Sequence, residues 1–373
     1  MQQLFSQTPR RFSDCYSHHR GQITVVAQVQ RKLRYQVFPS AHGPIMKNAI
    51  RANFLWALLG SGLVCPAIVQ GEQPLFRFER MLSDIESGAP RPVITAISAL
   101  PPSELLSTSG DDHITRVWDM QTGRLVHRLK GHLDWVRCSA FAPNGETLAT
   151  CGDDGRIILW DTATWTEQKI LFDHERPLYS LAFAPDGQTL AAVGFQEYVL
   201  LFDIPSFRLR NRLAAPCDDN RVAMFSSDGV YLAVAGRSGT IRIYHMGQPG
   251  DVRDFKAHRQ RVRALAFMTD RPWLVSGSED RSLIVWNVLT GAKEFSLATG
   301  TQKIHTLICL APPYVATGGS DNTIRIWDLV QQQEIERLPG HTGTVSSMIA
   351  SNQTLFSAGF DTTIRQWTVA SAK

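Results

Sequence analysis

Seven times in this chain an aromatic residue closes a unit of short strands and tight turns, and the interval between closures constrains the fold more than any other feature. The closing residues are Trp118, Trp160, Phe202, Tyr244, Trp286, Trp327 and Trp367, at spacings of 42, 42, 42, 42, 41 and 40 residues. Self-similarity at such a period marks one supersecondary unit per repeat, each burying its faces only against its neighbours. The clearest copy runs from Gly131 to Asp161. It opens on Gly131-His132, alternates from Val136 to Phe141, and turns at Pro143-Asn144-Gly145. It then runs from Thr147 to Cys151, turns at Asp153-Asp154-Gly155, and ends in a third strand at Trp160-Asp161. Asn-Gly and Asp-Gly accept the positive φ of tight antiparallel hairpins, and no helical period interrupts them.

A period of 40 to 45 residues with four strands per unit predicts a β-propeller blade. The closing dipeptides Trp118-Asp119, Trp160-Asp161, Phe202-Asp203, Tyr244-His245, Trp286-Asn287, Trp327-Asp328 and Trp367-Thr368, with Gly131-His132, Ala257-His258 and Gly340-His341, make the chain resemble the WD-repeat β-propeller family. The expected fold is all-β: a seven-bladed propeller of four-stranded antiparallel blades over residues 72–373. Only six residues follow Trp367, too few for the outermost strand that other units build from segments such as Arg124 to Leu129. The alternating segment Phe76-Arg77-Phe78-Glu79 is the expected donor, closing the ring and removing an exposed sheet edge.

Ahead of the repeats, residues 1–45 lack periodicity and read as a leader or upstream extension. Residues 46–71 place Met46-Lys47 and Arg51 before the apolar run Phe54 to Val64, then Cys65-Pro66-Ala67 and Gly71. That is the layout of a secretory signal peptide or an uncleaved anchor. The expectation is therefore export to a bacterial periplasm or cell envelope, with a cytoplasmic scaffold as the alternative. The net charge of +4 is concentrated here: residues 1–75 hold eight Lys/Arg against Asp14 and Glu72, and the remainder carries 30 basic and 32 acidic residues. The repeats thus carry no basic excess, and no nucleic-acid partner is expected.

Six cysteines show no C-x-x-C spacing, and neither a metal nor any other cofactor is expected. Cys138 and Cys151 fall on the two strands of one predicted hairpin and could lie opposite each other; two buried core thiols is the favoured reading. Phosphate-loop, dinucleotide, nucleophile-elbow and H-E-x-x-H zinc motifs are all absent.

Counting back from the closing aromatics, an Asp falls six positions earlier and a Ser or Thr ten earlier in five units. In the family that these repeats resemble, such residues form a buried hydrogen-bonded tetrad with the Gly-His histidine. The resemblance implies complete tetrads at His132/Thr150/Asp154/Trp160, His258/Ser276/Asp280/Trp286 and His341/Ser357/Asp361/Trp367. Units one and six lack the histidine, while units three (His174, Ala192, Gln196, Phe202) and four (Val234, Ser238, Tyr244) break the pattern. A His, Asp and hydroxyl set recurring around a ring reads as structural, since a hydrolytic triad is one exposed set beside an oxyanion hole.

Family members commonly meet partners on the face where each first strand begins. The positions mapped there are Trp135, Arg137, Tyr179, Arg221, Arg261, Arg263, Lys303 and His305, with Arg237 among the turn residues Asp111, Asp153, Phe195, Glu279 and Phe360. Units four to six read as a basic arc suited to carboxylate or phosphate groups. The expectation is a monomeric, non-enzymatic scaffold or adaptor for a protein or peptide, acidic in character. A propeller hydrolase or lyase with its site at the central channel is the alternative.

Overall fold

The computed structural model describes residues 76–82, 91–100, 104–351 and 353–369. Residues 1–75, with the leader and export segment inferred from sequence, lie outside them. Among the described residues there are 28 strands, β1 to β28 in chain order, and no helix. They form seven four-stranded antiparallel sheets.

The repeat Gly131 to Asp161 shows how local chemistry sets a blade. β6 (Val136–Phe141), β7 (Thr147–Gly152) and β8 (Arg156–Asp161) pair in order, and β9 (Thr166–Asp173) adds the outer edge. β7 is buried along its whole length, as a middle strand covered on both faces must be, whereas β9 is largely exposed. Gly155 turns β7 into β8 at φ 72°, and a Cβ there would lie 1.7 Å from the His174 carbonyl oxygen, so only glycine fits.

The inner strands β2 (Ile94–Leu100), β6, β10 (Leu178–Phe183), β14 (Asn220–Phe225), β18 (Val262–Phe267), β22 (Ile304–Cys309) and β26 (Val345–Ser351) lie side by side in a closed ring, β26 meeting β2. The apolar core is divided accordingly. Seven clusters each join residues of two neighbouring blades, so every blade is buried by its neighbours and not by a common centre.

The seventh blade is built from both ends of the repeat region. β1 (Phe76–Leu82) pairs antiparallel with β28 (Ile364–Val369), Phe76 opposite Val369 and Leu82 opposite Ile364, so the donor strand occupies the expected edge. Phe78 packs edge-on against Trp367 at 5.6 Å. Arg80 Nε donates to Gln366 Oε1 at 2.7 Å, and its Nη2 caps the Met120 and Gln121 carbonyls of the first blade at 2.7 and 2.6 Å. Cys138 and Cys151 are register partners across β6 and β7, and both are free thiols.

Candidate functional site

The His, Ser/Thr, Asp and Trp positions assemble inside the sheets. In blade two, His132 Nδ1 lies 2.8 Å from Asp154, His132 Nε2 lies 2.8 Å from the Thr150 hydroxyl, and Trp160 Nε1 donates to Thr150 Oγ1 at 2.9 Å. With the imidazole proton on Nδ1 the donors run in one line: indole to hydroxyl, hydroxyl to Nε2, Nδ1–H to carboxylate. Blade seven repeats this with His341, Asp361, Ser357 and Trp367. Burial alone raises the carboxyls of Asp154, Asp280 and Asp361, but hydrogen bonds from His132, His258 and His341 and from backbone N–H groups outweigh it and hold all three below the usual carboxylate range. Thr150, Ser276 and Ser357 are fully buried, so none of these hydroxyls can meet a substrate.

Blade five departs from the expected tetrad. His258 reaches Ser276 at 2.8 Å and Asp280 at 3.1 Å, but the Trp286 Nε1 is buried without a partner. The Trp286 ring instead stacks on Phe255 at 5.0 Å and 22°, and the Ser276 hydroxyl turns toward the Ile284 carbonyl. Blade six lacks the histidine yet has a substitute. Gln302, fully buried, accepts from Thr317 at 2.9 Å through Oε1 and donates to Asp321 at 2.9 Å through Nε2, while Trp327 Nε1 donates to Thr317. The sequence hid this because Gln302 stands two residues before its inner strand, whereas His132, His258 and His341 stand four before theirs.

The strand-entry face is organised by a feature that the sequence did not reveal. Every inner strand carries a β-bulge at its second residue, which is left out of the ladder: Thr95, Arg137, Tyr179, Arg221, Arg263, His305 and Ser346. Bulges re-aim side chains, and here they turn one residue per blade toward its neighbours around the channel mouth. Ser346 Oγ donates to the Ile94 carbonyl at 2.5 Å and Thr95 Oγ1 to the Val136 carbonyl, each crossing to the next blade. Across the ring, Arg137 lies 4.5 Å over Trp135 and 5.2 Å over Tyr179, and Arg221 lies 3.7 Å over Tyr179 and 4.8 Å over Phe195. The mouth is therefore hydroxyl-lined at blades seven and one and cationic-aromatic from blades two to six.

The basic arc inferred from sequence is neutralised only in part, and Arg137 beside it is paired too. Arg137 is held by Asp153 at 2.9 Å through Nε. Asp219, 3% exposed and overlooked because it stands outside the turn pattern, is shared by Arg221 and Arg261. Glu279 is shared by Arg261 at 3.5 Å and Arg263 at 2.7 Å. Three guanidinium groups thus meet two carboxylates. Arg263 is bonded only through Nε, its terminal nitrogens having no hydrogen-bond partner among the described residues. Burial, then the neighbouring Arg221 and Arg261, depress its pKa despite Glu279. Arg237 and Lys303 are exposed and make no side-chain hydrogen bond among the described residues.

Burial and the adjacent Arg263 hold His305 at about 4, against an ordinary 6.5. An unfolded chain takes up that proton near pH 6.5 and the folded one only near 4, so this group's stabilising effect is complete above pH 6.5 and is lost as pH falls toward 4. His305→Gln should flatten that part of the stability curve measured by chemical denaturation; an unchanged slope would show that His305 does not titrate as its surroundings require.

No group of three or more His, Cys, Asp or Glu among the described residues could hold a metal ion. A family profile described as "WD domain, G-beta repeat" matches residues 123–161, 165–203, 216–245, 250–287, 299–328 and 332–368, more than half of the chain. The chain is similar to apoptotic protease-activating factor 1 of Danio rerio, 26% identical over 314 residues, covering 81% of this chain and 24% of that protein. It is also similar to nuclear distribution protein nudF of Emericella nidulans, 28% identical over 172 residues (39% of this chain, 38% of that one). The Caenorhabditis elegans ubiquitin fusion degradation protein 3 homolog is 30% identical over 155 residues (39% and 18%). The chain spans well under half the length of each of these relatives. Seven closing aromatics, seven four-stranded blades sealed by β1, and the matched repeats together place the chain in the WD-repeat family of β-propellers.

Proposed function

We propose that this propeller is a non-enzymatic interaction module whose strand-entry face receives an acidic side chain of a protein partner at the channel mouth. The observation that carries this reading is Arg263: half-buried, short of one counter-charge, with unpartnered terminal nitrogens beside Arg221 and the uncharged His305. A guanidinium fork in that state lacks a planar oxyanion, and a carboxylate supplies one in bidentate geometry. The stacked Trp135, Arg137, Tyr179 and Arg221 beside it are residue types enriched where interfaces concentrate their binding energy. The named relatives, a protease-activating factor, a nuclear distribution protein and a ubiquitin fusion degradation homolog, differ in role, which favours the propeller as a shared platform over a shared chemistry.

Charge reversal at Arg261 and Arg263 should reduce capture of the principal partner from native extract by at least about tenfold, because truncating or reversing a desolvated charge pair costs several kcal/mol. The single variant Arg263→Gln, which keeps a donor for Glu279, separates this from misfolding: its melting temperature should stay near that of the parent while capture falls. Undiminished capture by both variants would reject the channel mouth as the binding face.

A further inference from the structure

Blade three holds a second candidate site, independent of the channel mouth, at the place where its tetrad is missing. The positions that elsewhere carry the hydroxyl, the carboxylate and the indole are Ala192, Gln196 and Phe202. With no hydroxyl or carboxylate to hold it, His174 leaves the blade. It lies exposed and stacks on Phe172 at 5.8 Å and 9°. Beside His174 and Gln196 lies a cleft of about 330 Å³. Its floor is Leu200, buried to 2%, and its apolar walls are Phe172 and the half-exposed Tyr198.

Two observations give the cleft a chemical preference. Gln196 is pinned by its backbone, its N–H donating to the Gly194 carbonyl at 2.9 Å and its carbonyl accepting from Asn220 at 3.0 Å. Gln196 is nevertheless a lining residue of the cleft, and its side-chain Nε2 is buried with no acceptor. A buried amide donor without a partner is uncommon in folded proteins and is satisfied by a ligand oxygen placed against it. Second, the charged groups on the rim are Arg176, Arg212 and Glu197, a cationic majority, and neither guanidinium has an ion-pair partner among the described residues. Arg212 stands on the exposed outer strand β13 (Arg208–Ala214) with Arg208 and Arg210, the latter two beside Asp203.

We infer that the cleft binds a carboxylate carried on an apolar stem, one oxygen accepting from Gln196 Nε2, the charge facing Arg176 and Arg212, and the hydrocarbon lying on Leu200 between Phe172 and Tyr198. A cleft of about 330 Å³ has room for one bulky side chain, so the carboxylate can belong to a free small acid or to the C-terminal residue of a peptide.

Titrations of the full chain with 3-phenylpropionate and with a pentapeptide ending in Phe test this, each beside its carboxamide counterpart, with binding read from chemical-shift changes of Gln196 and its neighbours. The acid form is expected to bind at least about tenfold tighter than the amide, the loss that goes with one charge-assisted hydrogen bond. Gln196→Leu, which removes the unpartnered donor, should weaken the acid by about tenfold while leaving the melting temperature equal or higher. Arg212→Gln should weaken it as well. Tighter binding by the peptide than by the free acid assigns the site to a chain terminus, and the reverse assigns it to a small molecule. Equal binding of acid and amide, binding that survives Gln196→Leu, or no shift with either acid at about 1 mM would overturn the inference.

Discussion

Deletion of Phe76–Leu82 is expected to abolish the cooperative unfolding transition, or to lower its midpoint by well over ten degrees, whereas deletion of residues 1–70 is expected to leave it unchanged. β1 supplies six residue pairs to β28, from Phe76↔Val369 to Leu82↔Ile364. Without it β28 becomes an open edge, Trp367 loses the Phe78 ring against it, and the core between blades seven and one loses Leu82, which is 5% exposed. The Arg80 guanidinium, which ties blade seven to the Met120 and Gln121 carbonyls of blade one, goes as well. Each net backbone hydrogen bond contributes about 0.5–1.5 kcal/mol and a buried Leu about 1.5–3. Several of these together rival the about 5–15 kcal/mol by which a whole domain is stable. Thermal melts followed by circular dichroism would decide it. A strand-deleted chain that melts within a few degrees of the parent would show that the ring closes without its seal.

The fold was legible because its determinants are periodic. Closing aromatics recur every 40 to 42 residues, Asn-Gly and Asp-Gly turns fall between the strands, and the alternating Phe76-Arg77-Phe78-Glu79 segment ahead of the first unit pairs as β1 with β28. The site was legible only in part, because its determinants break the period. The bulge residues could be lined up from Arg137 to His305 by counting, but the bulges that turn them inward are backbone geometry with no residue signature. Asp219 could not be distinguished from an ordinary loop acid, although it decides how much positive charge the mouth retains. Gln302 escaped because it stands two positions later in its loop, Thr299–Lys303, than His132 does in the equally long Gly131–Trp135. Trp286 erred in the other direction: its position satisfies the repeat, but Phe255 captures its ring and the indole N–H is left over.

That difference between blades two and five yields the second large effect. Trp160→Ala should cost about 3–5 kcal/mol, the range for emptying a buried Trp site. The side chain is 3% exposed, packs in the core between blades one and two, and donates to Thr150 at 2.9 Å. The milder change to Phe separates packing from hydrogen bonding. Trp160→Phe removes the donor from a chain running through Thr150 and His132 to Asp154, leaving the Thr150 oxygen short of one bond inside a dry sheet, which adds about 0.5–1.5 kcal/mol to the loss of ring volume. Trp286→Phe removes an N–H that already had no partner, and the shorter ring can still stack on Phe255. Its cost should be that of volume alone, and measurably below that of Trp160→Phe in urea denaturation. Equal losses for the two substitutions would mean that the indole N–H contributes nothing to blade two, and that these networks direct the packing of the blades without adding to their stability.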